Sequence, residues 1–454
     1  MSEDKNTKDL TEGSITRHLI SFSLPVLMGL LFQQFYNIVD TAIVGRILGV
    51  NALAAVGATG SVMFLILGFC NGLCAGIGIP ISNRFGAKDE CGVRKCVVNS
   101  YYLSAAVAVI MTVATMMLCR IILTWMKTPS DIMEMSYDYL FIIFCGIPVI
   151  ILYNLLSSII RALGDSRTPL FFLVFSSLLN IFLDYVCIVY IHMGTGGAAF
   201  ATVSSQFIAA ILCAIYMKSK YKILKADRYE RKPDIDEILR LFAAGAPMGL
   251  QYSITAIGSL ILQTAVNGLG SEYVAAMTSG GKISMFMACP SDALGTFLAT
   301  FTGQNMGAGK IKRIDEGLKK SLMIGAVYMI IVAVVAEFFG DKLALIFVDK
   351  EESAIIANVH LFLRRNTEFY LFLLGVNTFR FVIQGMGFSN LAMFSGLMEM
   401  IARGIIGFIL VPRYGFKLAV MASPLAWVMA CMFLIPTYLY LKNRISRRIG
   451  VELE

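Results

Sequence analysis

Gln33, Tyr36, Asn37 and Asp40 recur at i, i+3, i+4 and i+7 inside an otherwise apolar stretch. On an α-helix that spacing stacks them on one face. A second apolar stretch, SSLLNIFLDY, carries Asn180 and Asp184 one turn apart, and a third, GGAAFATVSSQ, carries Thr202 and Gln206 at the same spacing. Carboxylates, an amide and a hydroxyl are hard oxygen donors, a set that suits Na⁺. Two carboxylates brought close also repel each other, so one of them can hold a proton in place of a metal cation. An acid deep in hydrocarbon costs about 2.5 to 3.5 kcal/mol on insertion scales, and such acids tend to be retained where they work. Either acid alone could simply bond a neighbouring helix; the set of Asp40, Asn180, Asp184 and Thr202 points to reversible capture of Na⁺ or H⁺.

The elements that must position these groups are membrane helices. With 454 residues, 57% hydrophobic and only 15% charged, and a mean hydropathy of +0.74, the chain has too little polar surface to cover a soluble globule. Its apolar runs are too long and too unbroken for barrel strands, which alternate. They divide into twelve expected spans: 16–46, 52–82, 92–125, 130–160, 168–191, 197–218, 238–268, 273–303, 314–347, 353–384, 390–411 and 418–442. Each is long enough to cross a hydrocarbon core of about 30 Å.

The same pattern occurs twice. Pro25 of SFSLPVLMGLLFQQ and Pro247 of AAGAPMGLQYS lie 222 residues apart, and the turn at Arg161 to Ser166 recurs near Gln384 to Ser389. Paired halves are a common transporter design, because a cavity between them can open to either side as one rocks against the other. The acids break the symmetry: Asp40 has Leu262 as its counterpart and Asp184 has Gly407. The expected organisation is an N-lobe over 1–218, a cytoplasmic linker over 219–237 and a C-lobe over 238–454.

Loops on the side of the N-terminus hold 26 Lys and Arg, against seven on the other side (Arg46, Arg120, Lys127, Lys342, Lys350, Arg413 and Lys417). The positive-inside rule then puts both termini in the cytoplasm. Topology and anionic lipid heads account for the net charge of +8, and no nucleic-acid partner is expected. Met1 to Lys5 lead through a polar tail into the first span, without the outline of a cleavable signal peptide. The ten cysteines lack metal-ligand spacing, and the histidines, His18, His192 and His360, sit near span ends. No HExxH, GxSxG or paired-aspartate motif appears, so an enzyme is not expected.

The frame LPVLMGLLFQQFYNIVDTAIVG, the RALGDSRTP turn and the Asn180, Asp184 and Thr202 set resemble the multidrug and toxic compound extrusion (MATE) family, in its DinF-like/YoeA-like branch, over essentially the whole chain. The resemblance implies an all-α integral membrane protein with twelve transmembrane helices in two pseudo-symmetric six-helix lobes around a central cavity. It implies efflux of small organic compounds from the cell in exchange for Na⁺ or H⁺, by a plasma-membrane protein that needs no cofactor. It also implies a cation site at Asp40, Asn180, Asp184 and Thr202, coupled to bending of the first helix near Pro25. The NorM-like branch has an acid where this chain has Thr255, so a second cation site of that kind is not expected here.

Gln33, Tyr36, Asn37, Asn154, Gln206, Thr255 and Lys282 are candidates to line the cavity, and an unpaired Lys282 would favour substrates with an acidic group. Glu399 and Arg403, four apart on one helix, are expected to neutralise each other. Gly68, Gly72 and Gly76 have the small-xxx-small spacing of close helix packing. A complete cavity in one chain makes a functional monomer sufficient. The alternative function is a flippase for lipid-linked oligosaccharide, which would call for a cationic cavity; a passive channel fits the two-lobe repeat poorly.

Overall fold

The computed structural model describes residues 7–449, and among them there is no strand. Backbone polar groups in hydrocarbon must be satisfied within their own segment, so a chain this apolar folds as helices. In order they are α1 (Ile15–Leu48), α2 (Val50–Gly86), α3 (Glu90–Trp125), α4 (Met133–Cys145), α5 (Ile147–Ala162), α6 (Arg167–Tyr185) and α7 (Gly194–Lys220). The C-terminal copy continues with α8 (Ile235–Asn267), α9 (Ser271–Gly307), α10 (Ile311–Ala344), α11 (Ser353–Glu368), α12 (Tyr370–Gly385), α13 (Ser389–Ile405), α14 (Val411–Tyr414), α15 (Phe416–Ala419) and α16 (Ala422–Ile449).

Counting α4–α5, α11–α12, α13–α14 and α15–α16 as broken rods gives the twelve helices expected. α4 and α5 meet at a 48° bend, where Gly146 lies against Val203 of α7 and Pro148 opens α5. α6 and α13 each run on into a π-helical turn, Val186–Tyr190 and Ile406–Leu410. All six rods of the N-terminal copy are long and apolar enough to cross a membrane, counting α4–α5 as one; in the C-terminal copy α10, α13–α14 and α15–α16 are. The remaining rods carry more polar residues, such as Lys282 and Asp292 in α9 and Arg364, Arg365 and Glu368 in α11.

The repeat seen in the sequence is also a repeat of backbone geometry. Gly164 and Gly387, 223 residues apart, both take left-handed conformations, φ +86° and +90°. At Gly164 a Cβ would also fall 2.2 Å from the Lys8 carbonyl oxygen, so only glycine fits.

The helices form two compact units. One comprises residues 1–9 and 28–249, the other 10–27 and 250–454. In the second, the first turns of α1 pack with α9: Phe22 meets Phe297 at 5.9 Å between ring centres, and the Leu10 N–H donates to Gln304 Oε1 at 2.9 Å. In the first, the opening turns of α8 pack on α2, where a Cβ on Gly76 would lie 2.6 Å from the Gly245 Cα. Both helices change unit two residues beyond a proline, Pro25 in α1 and Pro247 in α8. The segment expected as a linker docks on α3: Arg94 grips Glu230 at 2.8 Å, and the Asp234 N–H donates to Asn99 Oδ1 at 2.8 Å.

Candidate functional site

Three helices of the first unit bring the membrane acids together. Gly29 lets α1 lie against α6, since a Cβ there would already be 3.3 Å from the Leu173 side chain. Two turns and more further along α1, Asp40 reaches Asp184 of α6, and the two carboxyl groups meet in hydrogen-bonding contact. Asp184 is fully buried and Asn180, one turn before it, is 2% exposed. The Asn180 amide donates to Thr202 Oγ1 of α7 at 3.3 Å, and Thr202 Oγ1 donates to the Ala198 carbonyl at 3.0 Å.

That leaves acceptors without donors. Asp40 Oδ1, Asn180 Oδ1 and both oxygens of Asp184 are buried with no hydrogen-bond partner, as is Gln206 Oε1 one turn beyond Thr202. Burying unpaired oxygen is costly, and nearly all such groups in folded proteins find a partner. A shared proton or a small cation supplies what the protein does not. The π turn begins two residues after Asp184, and π bulges often occur at working sites, where they re-aim side chains.

Two phenols face the acids. Tyr36, one turn before Asp40, and Tyr139 of α4 both lie within electrostatic reach of Asp40 and Asp184. The sequence gave no sign of Tyr139, because a single tyrosine in the apolar stretch YDYLFIIFC has no spacing to distinguish it.

The other candidates are more scattered. Gln33 and Asn37 are exposed on the same face of α1. The Asn154 amide is satisfied inside α5 by the Ile150 carbonyl at 2.8 Å. Thr255 packs near Gly396 of α13. Lys282 is exposed, with its ammonium 5.7 Å from the centre of the Phe347 ring, and forms no ion pair among the described residues. Among those residues no group of three or more His, Cys, Asp or Glu could hold a metal ion, so any cation here is bound by mixed carboxyl, amide and hydroxyl oxygen.

The second unit holds a different cluster. Asn377 of α12 donates to Asp292 Oδ1 at 2.7 Å and to Ser291 Oγ at 3.1 Å. Arg380 pairs with Glu399 of α13 and donates through Nε to Ser395 Oγ at 2.9 Å. The Glu399–Arg403 pair expected within α13 is therefore corrected: Glu399 turns to Arg380, and Arg403 keeps only a 3.4 Å contact with it. Arg380 and Glu399 lie on different helices, a proximity that spacing along one helix does not reveal. Asp292 escaped the sequence reading altogether.

The family model described as MatE matches the chain twice, over residues 25–186 and 247–409. The chain belongs to the MatE family. The two matches are offset by the same 222 to 223 residues as the repeat. The probable multidrug resistance protein YpnP of Bacillus subtilis (strain 168) is 29% identical over 377 residues, covering 83% of each chain. The probable multidrug resistance protein YoeA of the same organism is 27% identical over 363 residues, covering 78% of each. A solved structure, the outward-facing conformation of a multidrug resistance MATE family transporter of the MOP superfamily, shares the fold with a TM-score of 0.90 at 21% identity, over 96% of this chain and 98% of that one. As a MatE protein, the chain is a multi-pass membrane transporter and not an enzyme.

Proposed function

We propose that this MatE protein exports small organic compounds across the plasma membrane in exchange for Na⁺ or H⁺, by alternating access. The observation that carries this reading is the meeting of Asp40 and Asp184 beside the unpartnered oxygens of Asn180 and Asp184, with Thr202 closing the set. The functional lobes are the two repeat copies, 1–218 and 238–454, joined by 219–237, and both termini are cytoplasmic. Gln33, Tyr36, Asn37, Asn154, Gln206, Thr255 and Lys282 line the path of the substrate. One chain suffices as the working unit.

In this mechanism the cation enters from outside, neutralises the contact between the acids and lets α1 move about Pro25. Proline removes a backbone hydrogen bond and leaves a bend in the helix, which a change of charge fifteen residues away along the same rod can bias. Substrate is released outward; the lobes then rock inward and the cation leaves to the cytoplasm. One charge moving down 100 mV supplies about 2.3 kcal/mol, enough for a concentration ratio of roughly fifty for a neutral compound.

The names of the curated relatives support multidrug export as the activity. The experiment is efflux of a fluorescent organic cation from reconstituted vesicles with sodium and pH gradients imposed separately. Efflux driven by one gradient identifies the coupling ion. Efflux indifferent to both overturns the proposal.

A further inference from the structure

Where the N-terminal copy places acids, the C-terminal copy places a guanidinium. At the offset of the repeat, Arg403 stands for Asn180, Glu399 for Ser176, Gly258 for Tyr36, and Leu262 and Gly407 for the two acids. Arg403 is 6% exposed, and its Nη2 makes only the long contact with Glu399. The other oxygen of Glu399 belongs to Arg380. One carboxylate therefore serves two guanidinia, and the only charged groups within reach of Arg403 are Glu399 and Arg380. Arg403 Nε and Nη1 are buried with no acceptor at all.

A buried charged donor left without an acceptor is among the costliest features a fold can carry, and more so in a membrane. Space for an acceptor exists on one side. Where α1 carries the phenol of Tyr36, α8 carries Gly258, and a Cβ there would sit 3.5 Å from Arg403 Nη1. The donors thus face a strip of α8 bare of side chain, with the hydroxyl-bearing Thr255 about one turn before it.

We propose that Arg403 is the anchor of an anion site in the C-terminal lobe. The missing partner is one negative charge, which matches a monovalent anion: a halide or a carboxylate. It is supplied either by a free inorganic anion or by an acidic group on the transported compound. The site is distinct from the cation site, and its occupancy does not depend on coupling.

The test uses full-length protein in detergent, held in sodium gluconate and titrated at constant ionic strength with sodium bromide or with sodium benzoate, and reads the unfolding midpoint. A saturable rise is expected, with the apparent affinity weakened at least about tenfold by Arg403→Gln, the scale of a lost charge-assisted hydrogen bond. Gly258→Leu, which keeps the charge and fills the strip, is expected to weaken it similarly, and it decides the matter if Arg403→Gln does not fold. A rise with bromide assigns the site to free anions; a rise with benzoate alone assigns it to acidic groups on organic compounds. No saturable rise with either, or a rise undiminished in the variants that fold, overturns the proposal. Because the assay reads binding without transport, its failure leaves the cation-coupled reading standing, and the reverse also holds.

Discussion

The pair α1 and α6 and the pair α8 and α13 occupy equivalent places in a repeated architecture, yet they carry opposite chemistry. In the first, Asp40 and Asp184 meet and oxygens go unpartnered; in the second, Arg380 and Arg403 share Glu399 and N–H groups go unpartnered. Each pair has the same proline upstream in its first helix and the same π turn after its second. Duplication has conserved what bends and packs, and divergence has been spent on what is charged. A cation and an anion could then be held in the same molecule without competing for one site.

The sharpest way to break the comparison is to remove charge from the acid pair. Asp184→Asn keeps the shape and a hydrogen-bonding side chain but ends the contact between two acids. Efflux driven by the cation gradient is expected to fall to the level of vesicles without protein, while the unfolding midpoint in detergent stays near that of the parent. Full transport in this variant would remove Asp184 from the coupling.

On the opposite pair the same manoeuvre attacks stability first. Glu399→Gln leaves two buried guanidinia with no carboxylate between them, and breaking a buried pair from one side costs about 3 to 5 kcal/mol. Its unfolding midpoint is expected to fall well below that of Asp184→Asn. If the two variants melt alike, the claim that the lobes use their buried charges differently fails.

Much of this was legible in the sequence, for identifiable reasons. α2 was expected over 52–82 and runs over Val50–Gly86, because charged and glycine-bearing breaks end an apolar run whatever surrounds it. The polar stripe of α1 could be read because it lies along a single helix. What escaped depends on contacts between helices: Tyr139 reaches Asp40 from α4, and Arg380 captures Glu399 across from α12. The bend at Gly146 also escaped, since hydrophobicity continues through it. The points at which α1 and α8 pass from one compact unit to the other lie inside unbroken helices, where no change of composition marks them.

Glycine packing tests the parts that duplication left alike. Gly76 of α2 faces the Gly245 backbone, and a methyl group at 2.6 Å from a Cα has no side chain to push aside. Gly76→Ala is expected to cost about 1 to 3 kcal/mol by overpacking, read as a lower unfolding midpoint. Gly295 of α9 instead meets the ring of Phe381, which can turn, so Gly295→Ala is expected to cost less. The reverse order would show that the first unit yields more easily at its helix contacts than the second.

The smallest effect belongs to a charge pair outside the membrane, where both partners are satisfied. Glu230 accepts from Arg94 Nε at 2.8 and 2.9 Å and from the Asp227 N–H at 2.8 Å, and the hydrogen bonds from Arg94 hold its carboxyl well below the usual 4.5, at about 2. A carboxyl whose pKa is lower in the folded than in the unfolded chain contributes stability that is complete above about 4.5 and is lost as the pH falls through about 2. Docking of residues 226–234 on α3 should therefore be unchanged between pH 7 and 5 and loosen progressively below 4.5, seen as faster amide exchange or protease cleavage confined to that segment. Glu230→Gln should show the loosened behaviour already at pH 7 and little further change on acidification. A segment that loosens equally in both proteins would mean that other carboxyls hold it, and that the Arg94 pair is as dispensable as most ion pairs in contact with water.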